Sequence, residues 1–343
     1  MERYDAVVVG GGPAGSSCAA ELVKAGAKVL VLDRAAFPRL KLCAGWITPQ
    51  VVADLNLDVE AYPYRFNTFE RVVAHVWGMS LKLPGQQHSI RRTEFDRYLL
   101  ERSGAPVAQR NVKSIERRNG RYVIDGEIEC EHLVGAGGTR CPVYRELFRE
   151  ANPRARTLQA VTWEHEFPCE WHDPLCHLWF FDRGLPGYAW YVPKADGYLN
   201  LGIGAMAERL KARGEDIKSH WHHFIGVLKD KGFIPRDLAL DPTGYSYYLR
   251  REGVDVARID NAYITGDAAG LATRDLCEGI GPAVQSGQLA ARAITTGAEY
   301  SLEGVSAYSG KRGLGRTLLE YMLVRRRIKP AAGTARSSEK RAA

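Results

Sequence analysis

Residues 5–15 read DAVVVGGGPAG, and the fold is decided there. Ala6 to Val9 has the length and β-branched content of a buried parallel strand, and the turn Gly10-Gly11-Gly12-Pro13-Ala14-Gly15 follows it at once. A helix is expected next, because Ala19, Leu22 and Val23 recur at helical spacing and Gly26 is a stop signal. Lys28 to Leu32 then reads as a second apolar strand ending at Asp33, which completes a βαβ unit. The spacing has a mechanical reading: Gly10 permits the tight turn, Gly12 lets backbone approach a diphosphate, and Gly15 lets helix and strand pack closely. The helix N-terminus, opened by Pro13 and Ala14, offers unpaired amides and partial positive charge. Asp33, with Arg34 beside it, suits a ribose hydroxyl and not a 2′-phosphate, so the expected ligand is FAD or NAD. A glycine turn can also serve packing alone, but the flanking strands and the acid at its proper distance argue for the dinucleotide.

Beyond this unit, Val112 to Val134 reads as a β-meander with Asn119-Gly120 and Asp125-Gly126 as hairpin turns. His132 to Ala136, closed by Gly137-Gly138, and Ala262 to Thr265, closed by Gly266-Asp267, read as returning buried strands. Two stretches, Arg71 to Leu83 and Thr157 to Ala205, are rich in aromatic and β-branched residues and suggest one antiparallel sheet, with Asp196-Gly197 as a turn. Glu215 to Gly232 is amphipathic, with Ile217, Trp221, Phe224, Ile225 and Leu228 on one face. The expected class is α/β: a Rossmann-type domain with a meander (1–70, 92–153 and 250–309), an inserted antiparallel-sheet substrate domain (71–91 and 154–249), and a C-terminal helix with a basic tail (310–343).

Composition excludes several classes. Cys18, Cys43, Cys130, Cys141, Cys169, Cys176 and Cys277 are odd in number and form no close pair of the zinc or CxxC kind, which favours a reducing compartment. The net charge of +7 arises in the last thirty-four residues, which hold ten Lys or Arg against Glu320 and Glu339, so it marks no nucleic-acid groove. The start of the chain carries no leader-like pattern and no stretch has the length of a membrane span, so the protein is expected in the cytoplasm. Leu314, Leu318 and Met322 before Arg325-Arg326-Arg327 fit either a helix packed on the body or a peripheral contact with an anionic membrane.

A family resemblance enters at Asp267. Gly266-Asp267-Ala268-Ala269-Gly270, followed by Glu278-Gly279-Ile280-Gly281 and Ser286-Gly287, resembles the second FAD fingerprint of flavoproteins built like aromatic hydroxylases and geranylgeranyl reductases. Read physically, Asp267 can accept hydrogen bonds from ribityl hydroxyls, while a helix starting near Pro282 points amides at the flavin ring. Pro38, Lys41, Cys43 and Gly45 in FPRLKLCAGW resemble the Cys-Gly-Gly segment of geranylgeranyl reductases, and Tyr188, Trp190, Pro193 and Lys194 in YAWYVPK resemble their substrate-domain signature. Arg92, Phe95 and Asp96 resemble the family's cofactor-contacting arginine leading into a helix. The sequence departs from the family at Ala44 for glycine, Val192 for phenylalanine, Gly137 for aspartate and Arg274 for proline, and it ends earlier than typical reductases.

What the resemblance implies is an FAD enzyme in which the cofactor carries the redox chemistry and the protein places substrate against the ring. NAD(P)H or another donor would visit transiently, because the chain has one dinucleotide fingerprint. Cys43 is a candidate proton donor or ring contact, although a free cysteine is as often a small buried hydrophobe. Tyr188 and Trp190 are candidates for the wall over a lipophilic or aromatic substrate, or else sheet core. Lys194 could pair with an acidic substrate group or a nicotinamide phosphate, or sit solvated at a strand end. His220, His222 and His223 read as a polar helix face. The leading activity is hydride transfer from reduced FAD to a C=C bond of a prenyl or other lipophilic substrate. The alternatives are an aromatic monooxygenase or related halogenase, and a non-catalytic flavoprotein.

Overall fold

The computed structural model describes residues 1–154, 158–251 and 256–309, so the C-terminal helix and basic tail expected from the sequence lie outside the described residues. In chain order the elements are β1 (Glu2–Val9), α1 (Pro13–Lys24), β2 (Val29–Asp33), β3 (Trp46–Ile47), α2 (Pro49–Asp54), β4 (Asn67–Val76), β5 (Met79–Ser89), α3 (Arg92–Arg102), β6 (Val107–Gln109), β7 (Ile115–Arg118) and β8 (Arg121–Ile124). They continue with β9 (Ile128–Gly135), β10 (Gln159–Pro168), β11 (Cys176–Phe180), β12 (Gly187–Lys194), β13 (Tyr198–Met206), α4 (Ala207–Arg213), α5 (Ile217–Asp230), β14 (Thr243–Tyr248), β15 (Arg258–Ile259), β16 (Ala262–Ile264) and α6 (Ile280–Thr296).

The first sheet runs β15-β16-β9-β1-β2-β6, parallel from β16 to β6, with β7 and β8 hanging as a meander from β9. Ala6 to Val9 are buried because β2 and β9 flank them and they share one core with Ala19 and Leu22 of α1 and Tyr122 and Ile124 of β8, which explains a continuous apolar run where an edge strand would alternate. Two glycines make the strand-to-helix turn possible. Gly10 has φ of +115°, and a Cβ there would lie 2.3 Å from the Ala136 carbonyl oxygen. A Cβ on Gly15 would lie 1.8 Å from the Gly10 oxygen, so its bareness lets α1 close on the strand. The helix α6 packs against α1 by the same means, since a Cβ on Gly287 would meet the Ala14 oxygen at 2.2 Å.

The second sheet runs β14-β10-β13-β12-β11-β4-β5-β3. It is antiparallel except where β4 and β11 pair in parallel, a departure from the antiparallel sheet expected. The short β3 lies in the stretch assigned by sequence to the cofactor part, yet Trp46 and Ile47 pair with Ser89 and His88 of β5. No strand was expected at β14, which adds Thr243–Tyr248 to the edge beside β10. One face of this sheet packs Trp179, Tyr191, Leu201 and Ile203 on Trp221, Phe224 and Leu228 of α5. That helix begins where the Asp216 side chain accepts the Lys218 N–H at 3.1 Å. His220 belongs to this packing: it is buried and bonded to Glu215 at 3.0 Å, in contrast to the polar face expected. Among the described residues no helix is long and apolar enough to cross a membrane.

Candidate functional site

Between the two sheets lies a cavity of about 740 Å³, within the range of ligand sites. The fold delivers most of the residues singled out in the sequence to its wall. From the first βαβ unit come Gly10, Gly12, Pro13, Ala14, Asp33 and Arg34; from the next loop and α3 come Lys41, Cys43, Ala44 and Arg92. The ends of β9 and β16 and the start of α6 contribute Gly137, Asp267, Gly279 and Ile280, and β12 contributes Tyr188 and Trp190. Four others stand behind the wall. Gly15 and Gly266 are spaced for packing, Gly45 makes room for Ile90 and Lys194, and Gly281 lies against Glu278.

At one end the donor set fits a diphosphate. The N-cap of α1 is Gly12, with no side-chain cap and no acid in the first turn, so the amides there keep their charge for a ligand. Asp33 is fixed by backbone, its Oδ2 accepting the Gly11 N–H at 2.8 Å and its Oδ1 the Ala35 N–H at 3.0 Å. The sequence reading missed Arg39. Its guanidinium stacks over Phe37 at 4.7 Å, approaches Asp96 at 3.3 Å and Asp33 at 3.8 Å, and lies 3.3 Å from where a Gly12 Cβ would be. It therefore sets a cation beside the bare backbone of the turn. The available signal was a base in FPRLK, a segment read for Pro38 and Lys41 alone.

Behind this end Asp96 is fully buried and holds two arginines. Arg92 donates to it in a fork, Nε to Oδ1 at 2.7 Å and an Nη to Oδ2 at 2.9 Å, and Arg39 takes the remaining side. Burial by itself would weaken the charge on Arg92, but the Asp96 carboxylate outweighs it and holds the guanidinium above its ordinary value. Arg92 also reaches the Cys43 side chain, whose sulfur accepts the Gly45 N–H at 3.3 Å.

Farther along, Asp267 opens the turn after β16, as its motif requires, and Tyr245 of β14 reaches it at 3.4 Å while holding Thr139 at 2.9 Å. Arg154 fastens this turn, donating to the Ala268 carbonyl at 3.0 Å with its guanidinium over Tyr144. The helix α6 starts at Ile280, two residues earlier than expected, with Gly279 as an N-cap that makes no side-chain bond. Its amides are shared with Glu278, whose carboxylate accepts the Gly281 N–H. Burial pushes the Glu278 carboxyl up to about 7, and the Gly281 amide draws it back part of the way. Sequence assigned these amides to the ring alone and, although Glu278 stands in the fingerprint, gave its carboxyl no role.

A test follows from that sharing. Above pH of about 7, the ionised Glu278 opposes negative charge gained by the ring on reduction, so Glu278→Gln should raise the flavin midpoint potential by about 30 mV, the equivalent of ~1.4 kcal/mol for two electrons. Below that pH, wild type and variant should converge, as a dye-coupled redox titration at both pH values would read. Equal potentials under alkaline conditions would remove Glu278 from the ring's surroundings.

The far end is apolar and borders the buried acid Glu164. Tyr188 donates its hydroxyl to the Leu276 carbonyl, and burial lifts its pKa far above the ordinary value, so it serves as wall. The Trp190 Nε1–H donates to Asn200 Oδ1 at 2.6 Å, and its ring covers Gly202, where a Cβ would lie 2.1 Å from the indole. Asn200 in turn donates to Glu164 Oε2 at 3.3 Å. Burial pushes the Glu164 carboxyl up to about 7, offset in part by Lys41 and Lys194. Glu164 also borders a smaller cavity of about 160 Å³ with His165 and Asp241, so it separates two spaces. It was not read from sequence, where it is one acid among many. Lys194 corrects both readings given to it: it is fully buried, donates to the carbonyls of Ala44 at 2.8 Å and Ile90 at 2.6 Å, and pairs with Glu166 at 3.2 Å. It joins β12 to the Cys43 loop and does not line the cavity.

A parallel sheet with two helix N-termini on one cavity, roofed by a second sheet, defines an FAD-dependent oxidoreductase of aromatic-hydroxylase-like fold. The family described as FAD dependent oxidoreductase matches residues 5–93. An uncharacterized protein of Methanosarcina barkeri is 30% identical over 309 residues, covering 86% of this chain and 76% of its own. Menaquinone reductase of Mycobacterium tuberculosis is 29% identical, covering 85% and 77%. Geranylgeranyl diphosphate reductase of Rhodobacter capsulatus is 27% identical, covering 85% and 75%. Among solved structures, a geranylgeranyl bacteriochlorophyll reductase-like protein from Thermoplasma acidophilum superposes with a TM-score of 0.73 at 20% identity, over 86% of this chain and 78% of the other. The chain belongs to the geranylgeranyl reductase-like family of FAD-dependent oxidoreductases.

Proposed function

We propose that the protein reduces a C=C bond of a prenyl or other lipophilic substrate. The observation that carries this reading is the cavity itself: past the polar dinucleotide end, Leu178, Tyr188, Trp190, Met206 and Leu276 form an apolar chamber bordered by the buried carboxyl of Glu164. The relatives named as geranylgeranyl diphosphate reductase and menaquinone reductase support it. When bound and reduced, FAD would supply the hydride for one alkene carbon and be left oxidised. Gly12, Arg39 and Asp33 would hold the diphosphate and ribose, and Asp267 the ribityl chain. Glu164 gives its proton to the other alkene carbon, and the resulting carboxylate is reprotonated through the smaller cavity beside His165 and Asp241. Tyr188 and Trp190 exclude water and hold the chain flat, and Cys43, on the same cavity wall, would meet the ring. NAD(P)H or another donor would have to return two electrons to the flavin between turnovers.

The test uses purified yellow protein reduced anaerobically and offered prenyl alkenes and phenols before oxygen is admitted. Anaerobic reoxidation by an alkene, with saturated product, is the expected result. Reoxidation that waits for oxygen and yields a hydroxylated product would overturn it in favour of a monooxygenase.

A further inference from the structure

The wall of the cavity does not stop at the cavity. Directly paired residues of a sheet point to the same face, so the register can be followed outward from Trp190 and Tyr188. Trp190 pairs with Leu178, Leu178 with Ala74, and Ala74 with Leu81. Tyr188 pairs with Phe180, Phe180 with Val76, and Val76 with Met79. A third row runs from Cys176 through Val72 to Leu83. The face that walls the cavity thus continues as three apolar rows across β11 and β4 and emerges on β5, whose stretch from Met79 to Leu83 lies beyond the reach of β3. There the side chains are in solvent: Met79 is 58% exposed, Leu81 51% and Leu83 49%.

The tip of the same hairpin is Trp77, 67% exposed. It has φ of +50° and precedes Gly78 with φ of +82°. A tight turn with two such positions ordinarily carries Asn, Asp or Gly, and a bulky side chain there is conformationally costly. An indole projecting from such a turn beside three aliphatic side chains has the composition of an element that enters the interfacial layer of a bilayer. Charge agrees with this: between Arg71 and Leu83, the part of the hairpin toward its tip carries Arg71 and Lys82, and the one acid of the two strands, Glu70, lies at the end away from Trp77. An exposed apolar edge is otherwise an aggregation liability that proteins blunt.

We infer that the β4–β5 hairpin docks on an anionic lipid bilayer through Trp77, Met79, Leu81 and Leu83, and that the three apolar rows lead a lipid-dissolved substrate from the bilayer to the cavity. This deepens the reductase reading and rests on it. Sinking the hairpin would keep the chain of a prenyl substrate in apolar surroundings from membrane to Trp190, so desolvation never opposes its entry.

The experiment compares the full chain, loaded with FAD, with a combined Trp77→Ser, Leu81→Ser, Leu83→Ser variant, all at exposed positions outside the cavity. Flavin content and thermal midpoint should match, which establishes that the variant folds. Sedimentation with vesicles of phosphatidylcholine and phosphatidylglycerol should show the partition coefficient falling at least about tenfold, since losing even one leucine-sized apolar contact is worth that much. Turnover of a long-chain alkene held in those vesicles should fall by a similar factor, while a short water-soluble prenyl alkene is reduced at the same rate by both proteins. Unchanged vesicle binding would overturn the docking surface, whatever the alkene results. Loss of a wild-type dimer on sedimentation velocity, with no vesicle binding by wild type, would overturn it in favour of a second copy. Vesicle binding that falls as expected while neither protein reduces either alkene would uphold the docking surface and defeat the reductase reading.

Discussion

Asp96→Ala should lower the unfolding free energy by about 3–5 kcal/mol and yield a colourless protein, because it strips the carboxylate from two arginines in one step. Asp96 has no solvent exposure and its two oxygens take the Arg92 fork at 2.7 and 2.9 Å and Arg39 at 3.3 Å. A buried ion pair is weak evidence of net stability, but a buried guanidinium left alone is costly, and Arg92 is itself buried. The same change frees Arg39 from its place between Asp96 and Asp33 and so disorders the cation next to Gly12. Urea titration by tryptophan fluorescence and flavin absorbance per chain are the two readings. Because the residues form one network, Arg39→Met should soften the loss when combined with Asp96→Ala, and a double-mutant cycle should be non-additive by about 1 kcal/mol or more. A loss below about 1 kcal/mol for Asp96→Ala, with normal flavin content, would show that the network is ornamental.

The course of the first sheet could be read ahead of the structure because its signals are local. Ala6 to Val9 is apolar without alternation, Gly10 and Gly15 sit where backbone oxygens leave no room for Cβ, and Asp33 closes the unit. The second sheet was legible only in part. Its strands have the right composition, but pairing in parallel between β4 and β11 depends on two segments a hundred residues apart, and no local rule announces it. The strand TGYSYY at β14 carries mixed polarity because it is an edge that faces the cavity on one side, so periodicity does not declare it. Yet that strand brings Tyr245 to Asp267 and Tyr247 to the cavity wall.

The site divides along the same line. Residues in motifs, such as Gly12, Cys43, Trp190 and Asp267, were found because their neighbours in sequence mark them. Arg39 and Glu164 were not, because what distinguishes them is burial and company, and Glu278, though named in the second fingerprint, was given no role there for the same reason. Lys194 is the converse case: the signature motif marks it, but the fold spends its charge on two carbonyls and Glu166 to hold the Cys43 loop against β12. A motif residue can therefore serve the scaffold, while a residue without a motif stands where the chemistry needs it.

Glu164→Gln is the sharpest test of that last statement, with an expected fall of about 10²–10⁴-fold in the rate at which an alkene reoxidises the reduced protein. Glutamine keeps the size of the side chain and can still accept from Asn200, so Trp190 should stay in place and flavin reduction by the donor should be untouched. The pH dependence separates a proton donor from a mere wall residue. With its carboxyl pushed up to about 7 by burial, Glu164 holds its proton below that pH, so wild-type reoxidation should be flat on the acid side and decline as pH rises through about 7. Stability should follow the same group with the sign fixed by linkage. The unfolded chain releases this proton near the ordinary value of 4.5 and the folded chain only near 7, so the folded state gains most at low pH. That contribution is lost progressively between the two values, and both the rate limb and this stability slope should be missing from the glutamine variant. Alkene-driven reoxidation within about threefold of wild type, or an alkaline limb that survives the substitution, would take the proton from Glu164 and return the question to Cys43.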